Sequence, residues 1–151
     1  MIIIEAAAEN DLPQVLEIEQ AISPPWTHGA LLYEIYREDS FFAVARHDSA
    51  ASPLLGFLIL RRMGDDGELL QIAVDETARR GGVADTLMGA AIGFSKDEAL
   101  RSVFLEVRRS NEAAIGLYKK HRFKTVRIRK DYYNSPVEDA VVMQRSVKNG
   151  G

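Results

Sequence analysis

The sequence predicts an α/β domain, in which one mixed β-sheet carries helices on both of its faces. Strand-like segments with alternating or continuous apolar residues are interspersed with segments whose apolar residues recur at the three- and four-residue spacing of a helix. At 151 residues and 46% hydrophobic, the chain suits a single domain with one core. It contains no run of about 18 apolar residues, so no segment is expected to span a membrane.

The first half of the chain predicts a strand, two helices and three further strands. The N-terminal strand should lie at an edge of the sheet, Asp11 should cap the first helix, and Ser23-Pro24-Pro25 should end it. Thr27 should cap the second helix. The predicted bounds are 2–5 for the first strand, 28–38 for the second helix, and 41–46, 54–62 and 68–74 for the three strands. Because their connections are short, these three strands should form an antiparallel meander.

The second half predicts alternating helices and strands, with a strongly apolar face on the first of its helices. The predicted bounds are 83–99 (helix), 103–107 (strand), 111–120 (helix), and 123–130 and 140–145 (strands). A single helix connects the strands at 68–74 and 103–107, so these two should be adjacent and parallel through a right-handed crossover. The predicted order is β-α-α-β-β-β-α-β-α-β-β, with one domain over residues 1–147 and a frayed tail over 148–151.

Charge is distributed unevenly around a net charge of −3. Residues 1–100 hold 7 Lys/Arg and 17 Asp/Glu, whereas residues 101–130 hold 10 and 2. A basic segment of this kind can contact nucleic acid, a ribosomal surface or an anionic cofactor, or it can be a solvated face of a strand and a helix. From the residues alone both interpretations stay open.

The chain has no cysteine, which excludes a disulfide framework, a thiol nucleophile and a thiolate metal site. The three histidines are scattered along the sequence, so no metal centre is predicted. These absences favour a cytoplasmic protein.

Residues 79–85 (Arg-Arg-Gly-Gly-Val-Ala-Asp) lie between a predicted strand and a predicted helix. The first turn of a helix presents unpaired N–H groups and about half a positive charge, which together favour an anion. Gly81 and Gly82 would let phosphate oxygens approach the backbone, and Arg79 and Arg80 add positive charge. The pattern predicts a diphosphate site, with a simple turn leading into a helix as the alternative.

This loop resembles the acetyl-CoA pyrophosphate loop of the GNAT acetyltransferase superfamily, and it follows a strand, LLQIAVD (69–75), of the expected kind. The segments PPWT (24–27), LEVRRSNEAAIGLYKKHRF (105–123) and RKDYYNSPVEDAVVM (129–143) resemble the RimI group within that superfamily, the protein N-terminal alanine acetyltransferases. The resemblance spans essentially the whole chain. It implies a GNAT-like fold in which the central parallel strand pair is splayed.

The resemblance also implies a co-substrate and the residues that bind it. Acetyl-CoA should be the co-substrate, with no metal. Its pantetheine arm should bond to the backbone of Ile72, Ala73 and Val74, where the two parallel strands separate, and to Asn111. The pyrophosphate should be held by Arg79, Arg80, Gly81, Gly82, Val83, Ala84 and Asp85.

Two catalytic roles follow from the same resemblance: Glu106 as proton acceptor and Tyr118 as proton donor. An amine attacks a thioester only when neutral, and at pH 7 an α-amine with a pKa of about 8 is about a tenth neutral, against about 0.04% for a lysine. A single carboxylate is therefore a sufficient base for an N-terminus. Tyrosine keeps its proton at neutral pH and can give it to the departing thiolate. From the residues alone, Glu106 could instead pair with Arg108, and Tyr118 could be a core residue.

Trp26, Tyr132 and Tyr133 match segments that flank the peptide entrance in the RimI group. Rigid aromatic side chains with polar groups suit the binding of an extended N-terminus. The two tyrosines could equally be cross-strand packing pairs, and Trp26 a hydrophobic anchor of its loop.

With no cysteine and no evident Ser–His pair, the expected reaction is direct attack within a ternary complex. The expected acceptor is the N-terminus of a ribosomal protein, with no membrane or nucleic-acid partner. A lysine or small-molecule amine is the alternative acceptor, and a non-catalytic acyl-CoA-binding module is the alternative function.

Three residues depart from the family pattern. Asp85 occupies a position that is commonly basic or small, and its charge should weaken pyrophosphate binding unless it turns away. Gly81 adds a glycine that could loosen the loop. Arg122 replaces the glycine that usually follows the helix, where a left-handed backbone disfavours a side chain, so a different helix exit is expected.

Overall fold

A computed structural model describes residues 1–19, 26–48 and 52–147 of the chain. The strands within these ranges are β1 (Ile2–Ala6), β2 (Ser40–His47), β3 (Leu54–Met63), β4 (Asp66–Val74), β5 (Ser102–Arg108), β6 (Lys124–Tyr133) and β7 (Glu138–Ser146). The α-helices are α1 (Leu12–Glu19), α2 (His28–Ile35), α3 (Val83–Asp97) and α4 (Glu112–Lys120). The predicted order of helices and strands is confirmed. The predicted end of the first helix at residues 23–25 and the tail 148–151 lie outside the described residues.

The strands form one sheet in the order β1-β2-β3-β4-β5-β7-β6. β4 and β5 are parallel, and the other neighbouring pairs are antiparallel. The structure therefore confirms the mixed sheet, the meander of β2 to β4, the edge position of β1 and the parallel crossover through α3.

Helices cover both faces of the sheet, as predicted. One core cluster joins α1 and α2 to β2 and β3, and the other joins α3 and α4 to the central strands. Successive residues of β3 face opposite clusters, with Phe57 and Ile59 towards α1 and α2, and Leu58 and Leu60 towards α3. This alternation explains why β3 appears in the sequence as a continuous apolar run, as is typical of a strand buried on both faces.

The parallel pair β4–β5 is joined only at its start in the described residues, where Gly67 pairs with Val103 and Glu68 with Phe104. Beyond these residues β4 stays paired with β3, and β5 stays paired with β7, to the ends of both strands. The two strands consequently separate towards their C-terminal ends. The expected splay of the central parallel pair is present, and it leaves an opening in the sheet.

A β-bulge in β4 accounts for this opening. Ile59 of β3 lies opposite Gln71, but the next residue, Leu60, lies opposite Leu69, so Leu70 has no partner. A bulge bends its strand and increases the local twist. The bend lies just after the last β4–β5 pair and directs the rest of β4 away from β5.

The helix termini agree only in part with the sequence predictions. Thr27 caps α2 as expected, with its hydroxyl oxygen accepting from the Ala30 N–H at 3.1 Å. The prediction that Asp11 caps the first helix is wrong. A 3₁₀ turn over Glu9–Asp11 precedes α1, and the Asp11 carboxylate accepts from the Ala8 N–H at 2.9 Å, which satisfies an otherwise unpaired donor one turn earlier.

The exit of α4 corrects a second prediction. Arg122 adopts the left-handed backbone conformation, with φ of 71°, so the exit has the family geometry although no glycine is present. The N–H of Phe123 donates to the carbonyl of Tyr118 and that of Arg122 to Lys119, both at 3.0 Å, which is the Schellman pattern. The rings of Tyr118 and Phe123, 6.0 Å apart, provide the apolar contact that accompanies this pattern.

Candidate active site

The N-cap of α3 is Gly82, whose φ of 81° is left-handed and which has no side chain to bond to the first turn. Arg80 is also left-handed, with φ of 69°. A Cβ on Gly81 would lie 3.3 Å from the Ala78 carbonyl oxygen. The loop thus ends in a helix start without a side-chain cap, where first-turn amides and the helix dipole favour an anion. Its role as the pyrophosphate site stays a prediction, now with suitable geometry.

Asp85, the acidic departure in this loop, is held by the end of α4. Its carboxylate lies 2.9 Å from Lys120 Nζ and 2.8 Å from His121 Nε2. Hydrogen bonds from Lys120 and His121 hold the pKa of Asp85 below its usual range. The charge of Asp85 is therefore balanced by two basic groups, and its backbone N–H remains in the first turn of α3.

The C-terminal half of β4 has no partner strand on the side facing β5, so Ile72, Ala73 and Val74 have an edge there that an extended ligand could pair with. Gly56 of β3 lies opposite Val74. A Cβ on Gly56 would lie 2.6 Å from the Ala73 carbonyl oxygen, so only glycine fits this close approach. The sequence analysis missed Gly56, which appears there as one small residue in an apolar strand.

Asn111 caps α4, with Oδ1 accepting from the Ala114 N–H at 3.1 Å. The capping bond occupies the carbonyl oxygen and leaves the side-chain NH₂ group as the donor that could reach pantetheine.

Glu106 and Tyr118 lie on opposite faces of the sheet. Leu105 and Val107 of β5 belong to the core beneath α3 and α4, as does Tyr118, so Glu106 between them points to the other face. The two predicted catalytic residues are therefore separated by the sheet, with Glu106 on one face and Tyr118 in the core on the other.

Both oxygens of Glu106 are bonded. Oε2 lies 2.7 Å from Arg129 Nε, and Oε1 accepts from the Tyr132 hydroxyl at 3.1 Å. The alternative pairing of Glu106 with Arg108 is wrong, because Arg108 bonds instead to the Glu138 carboxylate at 3.3 Å and to two backbone carbonyls of the β6–β7 turn.

A cavity of about 270 Å³ opens beside Glu106. Besides Glu106 and apolar groups, its lining contains two more carboxylates, Asp66 and Glu68, and two arginines. Burial, and secondarily the charge of Glu106, raise the pKa of Glu68. The lining residues are Met63, Asp66, Gly67, Glu68, Phe104, Leu105, Glu106, Arg127, Arg129 and Val142. The sequence analysis missed Glu68, whose only signal is a carboxylate at the start of an apolar strand.

Tyr118 is a core residue, only 8% exposed, so the packing interpretation is correct for its ring. Burial, with a smaller effect of Tyr133, raises the pKa of Tyr118 to about 12. The hydroxyl therefore stays protonated throughout the neutral range, as a proton or hydrogen-bond donor must.

Trp26 is anchored rather than free. It packs against the core cluster of α1 and α2, and its backbone N–H donates to Glu19 at 3.0 Å. Glu19 is fully buried and also accepts from the Gln71 side chain at 3.1 Å. Burial raises the pKa of Glu19. Glu19 was not recognised as a site residue from the sequence. Its carboxylate connects the Trp26 backbone to Gln71 of β4, the residue before Ile72.

Tyr132 and Tyr133 contact each other edge to face, with ring centroids 5.1 Å apart. They are consecutive residues of β6, and the residue opposite Tyr133 on β7 is Glu138. Tyr132 is 47% exposed and directs its hydroxyl to Glu106, which places an aromatic ring at the mouth of the cavity.

Half of the ten basic residues in the segment 101–130 are paired with acidic residues. Five of its basic residues form ion pairs, namely Arg101–Asp66, Arg108–Glu138, Arg109–Asp139, Lys120–Asp85 and Arg129–Glu106. This pairing supports the interpretation as a solvated protein face over a nucleic-acid surface.

Within residues 1–19, 26–48 and 52–147, no group of three or more His, Asp or Glu side chains is arranged to hold a metal ion. The same ranges contain no helix with the length and apolar character needed to cross a membrane.

A sheet that opens between two parallel strands, beside an uncapped helix start on one face and a carboxylate on the other, is the arrangement that the resemblance to the CoA-dependent GNAT acyltransferases implies. The comparisons with known proteins agree. The family model described as acetyltransferase (GNAT) family matches residues 12–123. The chain therefore belongs to this family and is an acetyl-CoA-dependent N-acetyltransferase.

The relatives of this chain support its resemblance to the RimI group within the family. The ribosomal protein bS18-alanine N-acetyltransferase of Haemophilus ducreyi is 33% identical, covering 93% of this chain and 97% of its own. The N-alpha-acetyltransferase of Saccharolobus solfataricus is 45% identical, covering 92% and 89%. The crystal structure of the ribosomal-protein-S18-alanine N-acetyltransferase from Escherichia coli has a TM-score of 0.86 at 28% identity, covering 100% of this chain and 97% of its own. The resemblance to the RimI group is confirmed.

Proposed function

We propose that this enzyme acetylates the α-amine of a peptide N-terminus, and that its acceptor is a ribosomal protein. The observation that carries the proposal is Glu106, a carboxylate at the opening on the face away from α3, beside a cavity of about 270 Å³. The names of the relatives from Haemophilus ducreyi and Escherichia coli, which specify the alanine of a ribosomal protein, support the choice of acceptor.

Acetyl-CoA would enter from the face that carries α3 and α4. The amides at the start of α3 would hold the pyrophosphate, and the free edge of Ile72–Val74 would pair with the pantetheine arm. The amide group of Asn111, at the start of α4, would donate to the same arm. These contacts would direct the thioester into the opening between β4 and β5.

The acceptor would enter from the opposite face. Its nitrogen, once neutral, would attack the thioester carbon, so that a C–N bond forms, the C–S bond breaks, and the amine proton passes to Glu106. Because the two substrates arrive from opposite faces, both can be bound at once. This arrangement supports direct attack in a ternary complex, which intersecting rather than parallel initial-rate lines would reveal.

Tyr118 would assist the departing thiolate. Its pKa of about 12 lies about 3.5 units above that of an ordinary thiol, so complete proton transfer would cost about 5 kcal/mol. A hydrogen bond that strengthens as the C–S bond breaks needs no such cost. The hydroxyl would therefore act chiefly as a hydrogen-bond donor to sulfur.

The test is mass spectrometry of synthetic peptides incubated with the enzyme and acetyl-CoA. The set contains Ala-, Ser- and Met-starting peptides, and lysine-containing controls with a blocked N-terminus. The proposal predicts acetyl on the α-amine and none on the controls. Acetylation of lysine or polyamines alone would replace it with the alternative enzyme function, and CoA binding without any transfer would identify a non-catalytic module.

A further inference from the structure

Arg129 reaches Glu106 across an intervening strand. Glu106 lies on β5 and Arg129 on β6, with β7 between them. The β7 partner of Arg129 is Ala140, which is small and fully buried. Arg129 Nε lies 2.7 Å from Glu106 Oε2.

A bulge in β6 brings Tyr132 to the other carboxylate oxygen. The pairing of β6 with β7 shifts between Arg129 and Tyr133, and Asp131 adopts a left-handed φ of 50°. The Asp139 carboxylate fixes this bulge by accepting from the Asp131 N–H at 2.9 Å. Bulges commonly redirect side chains beside active sites, and here the Tyr132 ring also lies 5.5 Å from the Arg129 guanidinium.

Stability is a poor explanation for the contact between Arg129 and Glu106. The Arg129 side chain is 45% exposed and that of Glu106 is 23% exposed, and ion pairs so accessible to water contribute little to stability. A variant that lacks the Arg129 charge should accordingly fold. The contact matters instead because it places the positive charge of Arg129 at the opening between β4 and β5.

We propose that Arg129 is a positioning residue for acetyl transfer, which holds the Glu106 carboxylate aimed at the opening and places a positive charge where the acceptor's ammonium group arrives. The inference rests on the proposed function. An ammonium that pairs with Glu106 comes within a few ångströms of the guanidinium group. Like charges this close favour the neutral amine, which is the form that attacks. The released proton passes to Glu106 and then to water in the cavity.

Among the described residues, the charged and titratable groups that contact Glu106 or share its cavity are Asp66 and Glu68 from β4 and Arg127, Arg129, Tyr132 and Tyr133 from β6. Removing a guanidinium charge favours the protonated form of a carboxylate and of a bound ammonium that lie within a few ångströms of it. Whichever of these two groups controls the loss of activity in acid, the loss should therefore begin at a higher pH.

The test compares Arg129→Gln with Arg129→Lys, and uses Lys124→Gln as a matched control. Lys124 lies on the same strand, and its substitution removes the same charge outside the cavity. With saturating acetyl-CoA and an accepted peptide, Arg129→Gln should move the acid limb of kcat upwards by about one pH unit and lower kcat at pH 7 about tenfold. The KM for acetyl-CoA should not change. Arg129→Lys should restore most of both properties, and Lys124→Gln should behave as the wild type.

An unmoved acid limb in Arg129→Gln, or equal losses in the Gln and Lys variants, would overturn the inference, since packing alone would then explain Arg129. An equal shift in Lys124→Gln would overturn it too, because the effect would be one of net charge. If the wild type acetylates only another amine, the proposed function fails, and the same variants assayed on that amine still decide the role of Arg129. A wild type that acetylates no amine overturns both.

Discussion

Gly56 lies outside the predicted acetyl-CoA site, but replacing it with alanine should impair acetyl-CoA binding. The new Cβ would lie 2.6 Å from the Ala73 carbonyl oxygen and 3.3 Å from Val83 Cγ1. Contacts to Cβ below 3.0 Å essentially do not occur, so the carbonyl must move by at least about 0.4 Å, the difference between 3.0 and 2.6 Å. Ala73 lies in the free edge of β4, and Val83 begins α3, so the displacement would alter both parts of the predicted acetyl-CoA site.

The expected effect is a rise of about tenfold in the KM for acetyl-CoA, since displacements of about 1 Å at a reacting centre can cost about 100-fold. Overpacking should also cost about 1–3 kcal/mol of stability. Steady-state kinetics with each substrate varied in turn, together with thermal unfolding, would measure both effects, and the KM for the peptide should change less. Gly93→Ala in α3, where a Cβ meets nothing within 4 Å, is the control. An unchanged KM for acetyl-CoA in Gly56→Ala would refute the assignment of this strand edge.

Three further predictions follow from the site and its supports. The double variant Glu106→Gln/Tyr118→Phe should bind acetyl-CoA normally in calorimetry yet lose most turnover, whereas full activity would contradict both assigned roles. Arg122→Gly should raise the melting temperature by about 2–4 °C. The substitution relieves about 1 kcal/mol of left-handed backbone strain and removes the unfavourable proximity of the Arg122 charge to the buried Arg145. A lower melting temperature would contradict this prediction. Burial raises the pKa of Glu19 above its unfolded-state value, so its ionised form costs stability, and the free energy of unfolding should rise as pH falls from neutral towards that pKa. Denaturant unfolding at each pH should show this rise in the wild type, and Glu19→Gln should flatten it.

The fold could be predicted from local patterns because its elements are long and regular. Apolar spacing distinguished helices from strands, and one helix between two strands implied a parallel crossover. The opening between β4 and β5 was expected only from the family resemblance. Its local cause, the unpaired Leu70, depends on the register between β3 and β4, which neither strand specifies alone.

The details of the site depend on contacts between residues far apart in sequence. Glu106 was identified as a candidate base, but its partners Arg129 and Tyr132 lie on another strand, and Tyr132 reaches it through a bulge that has no sequence signal of its own. Arg122 shows that a local conformational preference can also mislead a prediction from sequence. Local preference disfavoured a left-handed arginine, yet the hydrogen bonds and ring contact of the α4 exit impose that conformation.

The most direct test of this account is a crystal structure with CoA and an acceptor peptide. The diphosphate should lie against the backbone amides of residues 82–85, and the sulfur should lie within the sheet opening, with the Tyr118 hydroxyl on one side and the peptide's terminal nitrogen beside Glu106 on the other. A diphosphate bound elsewhere, or a peptide nitrogen on the same face as α3, would contradict it.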